Sequence, residues 1–327
     1  RTTFLSQVVL LHSQARRVDR EPATCEFTSP SNAVWPRTAE ARRDKRRVVM
    51  PAFATPGPIA ATVVVAGAQV RVTASDRTDT VVLVEPVDKA SQSDVKVADR
   101  TKVDFAGGQL SVKTTVSGDK NGSVAITIDL PSGSSLVAYL AHSSVHADGS
   151  FGECELHTAS SRVQLDRINA LRANIAAGEV TVGHIAGRAD IDGSAVAARI
   201  SEVKGTVRLS SSGGQTWIGH ASADLDLGSG SGGFDIDRAD GSVTAKTGDG
   251  AIRIGRLTRG QAELSNRSGN IEVGISEGTA ARVDANSKRG SVRNSVPSRE
   301  NPDTSDNKVT VHARTRHGDV IIQRAAS

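Results

Sequence analysis

Four successive stretches, AGRADIDGSAVAARISEV (Ala186–Val203), KGTVRLSSSGGQTWIGHA (Lys204–Ala221), SADLDLGSGSGGFDIDRA (Ser222–Ala239) and DGSVTAKTGDGAIRIGRL (Asp240–Leu257), repeat with a period of 18 residues. Set in register, they place small or apolar residues in columns: Ala189, Val207, Leu225 and Val243, then Ile191, Leu209, Leu227 and Ala245, then Ile200, Ile218, Ile236 and Ile254. A unit this short holds two brief strands and two turns. It cannot bury its own apolar face and must stack on its neighbours. Period-two alternation, β-branched residues and Gly-rich turns make the elements strands. The expected fold is all-β: a single-stranded, β-helix-like solenoid of about 18-residue rungs.

The pattern extends in both directions. Upstream, from Leu136, Val137 and Tyr139 lead to Cys154 and Leu156, then to Leu171 and Ala173. A corner column runs Ile168, Ile185, Val203, Ala221, Ala239, Leu257 and Ile275. Downstream the spacing becomes 19, through Ala262/Leu264 to Ala281/Val283. Pro297–Lys308 reads as a polar loop, and Val309, Val311, Ala313, Val320 and Ile322 as the last rung. Residues 135–327 are thus expected as rungs, continuous with a block at 50–134. There Val63–Val65, Val70–Val72, Val81–Val84, Val95–Val97 and Leu110–Val112 read as strands with hairpin punctuation. This block is expected to be an antiparallel cap that covers the first edge of the stack, which would otherwise present unpaired backbone.

The head of the chain differs. Residues 1–49 show no sustained period and include a charge run, ARRDKRRVV (Ala41–Val49), so they are expected to be disordered or to lie upstream of a native start at Met50. Residues 1–50 hold ten Lys/Arg against five Asp/Glu; of the net +4, this head carries +5 and residues 51–327 carry −1. Without clustered positive charge on the folded part, nucleic acid is excluded as an expected partner. Val48–Val70 is free of charge for 23 residues and follows Arg46 and Arg47, which admits an export signal or anchor. Pro51, Pro56, Gly57 and Pro58 interrupt it and its second half alternates like a strand, so no membrane span is expected. The two cysteines, Cys25 and Cys154, make no disulfide framework. Cys154 falls in an apolar column as a buried free thiol, which fits a reducing, cytoplasmic setting.

Residues between the inward columns face solvent, with equivalent positions ~4.8 Å apart in a parallel stack. One outward column reads Arg172, Asp190, Arg208, Asp226, Thr244, Glu263, Arg282, mostly alternating in sign. A second reads Gln164, Thr181, Arg199, Trp217, Asp235, Arg253, Glu272, and in it Arg199 can lie over the Trp217 ring. Such ladders fix register more than they add stability. Arg199, Trp217, Asp235 and Arg253 are the candidate binding surface, with Trp217 the residue that raises the odds. His184, Glu202, His220, Arg238 and Arg256 line one turn. The two histidines would stand two rungs apart, ~9–10 Å, too far to share a metal ion. GSGSGGFDID (Gly228–Asp237) suggests a calcium nonapeptide but occurs once, so a Gly-rich turn is expected. No nucleophile elbow, phosphate loop, zinc-protease motif or paired C-x-x-C is present. Asp190, Arg208 and Asp226 caricature the acidic and basic groups of polysaccharide-cleaving β-helices, but they alternate along the whole stack like a ladder.

SGNIEVG (Ser268–Gly274), AGEVTVG (Ala177–Gly183), GDGAIRIG (Gly248–Gly255) and HGDVIIQR (His317–Arg324) resemble the bacterial toastrack β-solenoids, a family carrying an adhesin label. The segments Met50–Val82 and Glu277–Val296 resemble its actinobacterial branch. The resemblance implies a β-solenoid beginning at Met50, with no catalytic residue and no cofactor to carry over. The functional expectation is a non-enzymatic binding or scaffold module for a protein or glycan partner. The alternatives are an exported cell-surface adhesin or envelope factor, with Val48–Val70 as its signal, and a polysaccharide-active enzyme.

Overall fold

The computed structural model describes residues 50–114, 122–296 and 308–325. The expectations for residues 1–49 and for the loop at 297–307 lie outside the described residues. In chain order the elements are β1 (Ala52–Ala54), β2 (Ala60–Ala66), β3 (Ala68–Ser75), β4 (Asp79–Pro86), helix α1 (Gln92–Arg100), β5 (Lys102–Ala106), β6 (Gln109–Lys113), β7 (Val124–Pro131) and β8 (Ser135–Ala141). Long strands β9 (Ser144–Ile185) and β10 (Ala189–Val203) follow, each passing through corners without a break. Shorter strands then alternate between two faces: β11 (Val207–Gly213), β12 (Thr216–Ala221), β13 (Leu225–Ser231), β14 (Phe234–Ala239), β15 (Val243–Asp249), β16 (Ile252–Leu257), β17 (Gly260–Ser268) and β18 (Ile271–Ile275). The chain ends in β19 (Ala280–Arg289), β20 (Val292–Asn294), β21 (Lys308–His317) and β22 (Val320–Arg324).

The repeat becomes two parallel ladders. On one, Ala189, Val207, Leu225, Val243 and Ala262 are register partners in succession. On the other, Ile200, Ile218, Ile236, Ile254 and Val273 are. All ten are buried to within 2% exposure, so the inner sides of the ladders supply one continuous aliphatic core. Each buried Val, Leu or Ile contributes ~1.5–3 kcal/mol of transfer free energy, which is what a rung gains by stacking. The corner column from Ile185 to Ile275 is likewise buried and in register.

The opposite corner is closed by polar groups that the repeat did not advertise. Thr247, Asn266, Thr315 and Ser287 occupy one column. Thr247 Oγ1 donates to the Gly232 carbonyl at 2.9 Å. Asn266 Nδ2 donates to those of Gly250 and Gly269 at 2.8 and 3.0 Å, and Ser287 Oγ to that of Gly318 at 2.8 Å. These side chains satisfy turn carbonyls that the corner removes from the ladder.

Four expectations are corrected by the structure. Val95–Val97 lies in α1, not in a strand. Ser91 caps that helix, its side chain accepting from the Asp94 N–H, while the Asp94 carboxylate accepts from the Asp88 and Ser123 backbones. In the run LVAYLA, Leu136 and Ala138 face inward opposite Cys154 and Leu156, and Val137 and Tyr139 face out. Apolar residues on both sides of that strand leave its phase unset by alternation. Tyr139 instead stacks on His157 with ring centroids 4.8 Å apart.

Third, the end rungs are not in chain order. The rung β21–β22 lies between β17–β18 and β19–β20, so Ala262/Leu264 meet Val311/Ala313, and these meet Val283/Ala285 rather than Ala281/Val283. At the other end β2–β3 lies between β6–β7 and β8–β9 in the same way. Fourth, among the described residues antiparallel pairing is confined to the outermost strands, β1–β4, β4–β7 and β5–β6. Strands β2 and β3, from the same block, are full members of the parallel ladders. Ala61, Val63, Val65, Ala68 and Val70, from the charge-free stretch, are therefore core residues.

Candidate functional site

Arg199 on β10, Trp217 on β12, Asp235 on β14 and Arg253 on β16 are consecutive register partners on the outer side of the second ladder, as their spacing requires. They divide into two pairs. The Arg199 guanidinium carbon sits 4.6 Å from the Trp217 ring centroid. The ring lies along the sheet because residue 219 is Gly: a Cβ there would meet Trp217 Cη2 at 3.0 Å. Arg199 makes no ion pair among the described residues, so its charge stays available above a half-buried aromatic. Arg253, by contrast, is spent: it reaches Asp235 at 2.6 Å and Asp237 at 3.3 Å. The hydrogen bond that Arg253 donates to Asp235 chiefly holds the Arg253 pKa above its ordinary value.

The first outward ladder is more nearly self-neutralising. Arg208 meets Asp226 at 3.3 Å and Lys246 meets Glu263 at 2.9 Å, across neighbouring rungs. Asp190 departs from the expected ladder, pairing at 2.7 Å with Arg188 on its own rung. Arg282 departs too, because the inserted rung puts His312 and then Asp284 over Glu263. Exposed pairs of this kind contribute about 0–1 kcal/mol each.

At the turn, His184, Glu202, His220, Arg238 and Arg256 do stack in register. The histidines nevertheless take different partners. His184 Nδ1 is 3.2 Å from Glu202, whereas His220 Nε2 is 2.8 Å from Asp240. Asp240, which the repeat reading overlooked, ties three neighbours together. It also accepts from Arg238 at 2.9 Å and from the Thr258 hydroxyl at 2.8 Å. Burial alone would push this carboxyl up, but the bonds from Arg238, His220 and Thr258 outweigh it and hold the pKa at about 2. Only its position two residues past the His–Arg column could have pointed to it.

Cys154 is a buried free thiol, and burial pushes it up to about 12, which leaves it unreactive. No helix among the described residues is long and apolar enough to cross a membrane.

A family model described as Toastrack DUF4097 matches residues 62–324. No curated protein matches the sequence. Among solved structures, one described as a "putative adhesin" from Parabacteroides distasonis ATCC 8503 is 13% identical, with 84% of this chain and 96% of that one covered and a TM-score of 0.38. Another, described as a "putative adhesin" from Bacteroides fragilis NCTC 9343, is 12% identical over 85% and 97% of the two chains, with a TM-score of 0.34. A third, described as a "putative lipid binding protein" from Parabacteroides distasonis ATCC 8503, is 11% identical over 85% and 96%, with a TM-score of 0.33.

Proposed function

The chain belongs to the Toastrack DUF4097 family, and on that footing we propose that it is a non-enzymatic binding module that engages a protein or glycan partner through the outer side of its second ladder. The observation that carries this reading is the Arg199–Trp217 pair. A rigid aromatic, partly desolvated and topped by an uncompensated guanidinium, is the residue combination enriched where binding energy concentrates. Neighbouring Arg253 is neutralised within the chain, so the pair is a local feature and not part of a uniform charge ladder.

Trp217→Ala is expected to weaken partner binding tenfold or more in a pull-down or glycan-array titration, with the far-ultraviolet circular dichroism unchanged. Equal affinity of the variant would reduce this face to a mere surface. A second reading places the module at the cell surface, as the adhesin descriptions attached to the structures above would have it. Export would then need an address other than Val48–Val70, since residues of that stretch serve as core. Cell fractionation separates the two settings: protein confined to the cytosol ends the adhesin reading.

A further inference from the structure

The face that carries Trp217 starts, near the N-terminal end of the stack, in a groove. Arg71 on β3 is in register with Thr127 on β7 on one side and with His146 on β9 on the other. His146 Nδ1 is in turn 2.8 Å from Gln164 Oε1, and its other ring nitrogen is 2.9 Å from Asp148. Beside this column lies a shorter one, in which Gln69 is in register with Ala125 and Ser144. The small side chains of Ala125 and Ser144 form a floor, and Arg71, Arg162 and Gln164 form the walls. The hollow is open to solvent on one side, with a volume of about 640 Å³. Past Arg162 a second hollow of about 650 Å³ continues around the corner, bounded by His142, Ser160 and Ser161.

These volumes fall within the range of sites that hold small molecules. Their chemistry differs from that of the ladders elsewhere. Among the described residues no carboxylate lines the first hollow, and the second has only Glu179, already 3.1 Å from Arg162. Arg71 is exposed and makes no ion pair among the described residues, unlike Arg208, Arg253 and Arg267 on the later rungs. The remaining polar groups of the lining are amides and hydroxyls, which suit a ligand rich in hydroxyls. At the corner His142 has φ 49°, the one positive value at a non-glycine among the described residues. Such a conformation is strained for a residue with a Cβ and persists where the surroundings over-determine it.

We propose that this groove binds an acidic sugar, its carboxylate on Arg71 and its hydroxyls on Gln69, Ser144 and Gln164. A guanidinium fork matches a carboxylate in two bonds, and the amides discriminate a sugar from a bare anion. The proposal rests on reading the chain as a binding module and adds a ligand class. It does not depend on Trp217, which lies four strand spacings from His146, roughly 19 Å along the stack.

The test is a titration of isotope-labelled protein with D-glucuronate, D-glucose and sulfate, followed by amide chemical shifts. Saturable shifts with glucuronate are expected at Gln69, Ser144 and Gln164, with glucose and sulfate each at least tenfold weaker. Arg71→Gln, on an exposed position, is expected to lower glucuronate affinity tenfold or more, and Arg71→Lys to restore part of it. Trp217→Ala is expected to leave it unchanged. Sulfate binding as tightly as glucuronate, glucose binding as tightly, or an Arg71→Gln protein that binds normally would each overturn the proposal. If the groove fails while Trp217→Ala still abolishes partner capture, the module reading stands without it.

Discussion

Single side chains decide how the rungs are fastened, and the clearest is Asp240. Its carboxyl is 18% exposed and receives bonds from His220, Arg238 and Thr258. Its folded pKa of about 2 lies below the unfolded value near 3.9, so its contribution is fully present above about pH 4 and disappears as pH falls toward 2. Partial solvent screening keeps that contribution to at most about 2 kcal/mol. Asp240→Asn is therefore expected to lower the unfolding midpoint in urea at pH 7 and to flatten the acid limb between pH 4 and 2. Asn266→Ala should cost roughly 1–3 kcal/mol, because two turn carbonyls lose their donor in a buried corner. A third outcome belongs to Gly205, where a Cβ would stand 2.0 Å from the Gly187 carbonyl oxygen of the rung before. Gly205→Ala is expected to shift the thermal midpoint down by several degrees. Of these three residues none was singled out from the sequence. Polar corner groups vary from rung to rung as Thr, Asn and Ser, so they leave no column of one kind, whereas Ile200, Ile218, Ile236 and Ile254 repeat outright.

Strands that alternate on one side only were legible to the residue; elements lacking that asymmetry were not. Every partner from Ala189 to Val243 is where the 18-residue period puts it. The exposed quartet Arg199, Trp217, Asp235 and Arg253 follows from the same register, since what is between two inward positions must point out. Only the pairing within it needed coordinates, because ladder position does not say which neighbour a long side chain will choose. LVAYLA failed for the opposite reason, being apolar on both sides. In α1, Val95 and Val97 mimic a strand pair, while the deciding signal is Ser91 three residues before Asp94, a helix start. Ser91→Ala is expected to cost about 1 kcal/mol. Hydrogen exchange should register the change in residues 92–100 and at the Ser123 amide that Asp94 holds, and leave β11 to β16 unaffected.

Across the whole stack, the order of rungs was the part hidden from sequence. Ala262/Leu264 can pack under Ala281/Val283 or under Val311/Ala313 with equal ease, as all are small aliphatics in the same alternation. Chain order favoured the former, and the structure takes the latter. Deleting residues 297–327 should accordingly remove more than one rung. Without β21 and β22, strands β19 and β20 lose their partners, and limited proteolysis is expected to cut throughout residues 276–296. If β19 instead redocked on β17, that region would stay protected. The strand left at the outer edge, β19, carries Arg282, Asp284, Lys288 and Arg289, charges that discourage pairing with another copy.

The interleaving at both ends has a mechanical side. A stacked repeat ordinarily frays from the outermost layer inward, and in most such chains that layer is also where the polypeptide begins or finishes. Here the first parallel pair, β2–β3, and the last pair among the described residues, β21–β22, are each gripped from above and below. A pull on either would load hydrogen bonds on two sides at once, in shear. Once β1 has left β4, unravelling would have to open instead at the interior segments 109–131 and 280–294, which a pull on β2 or β22 does not reach directly.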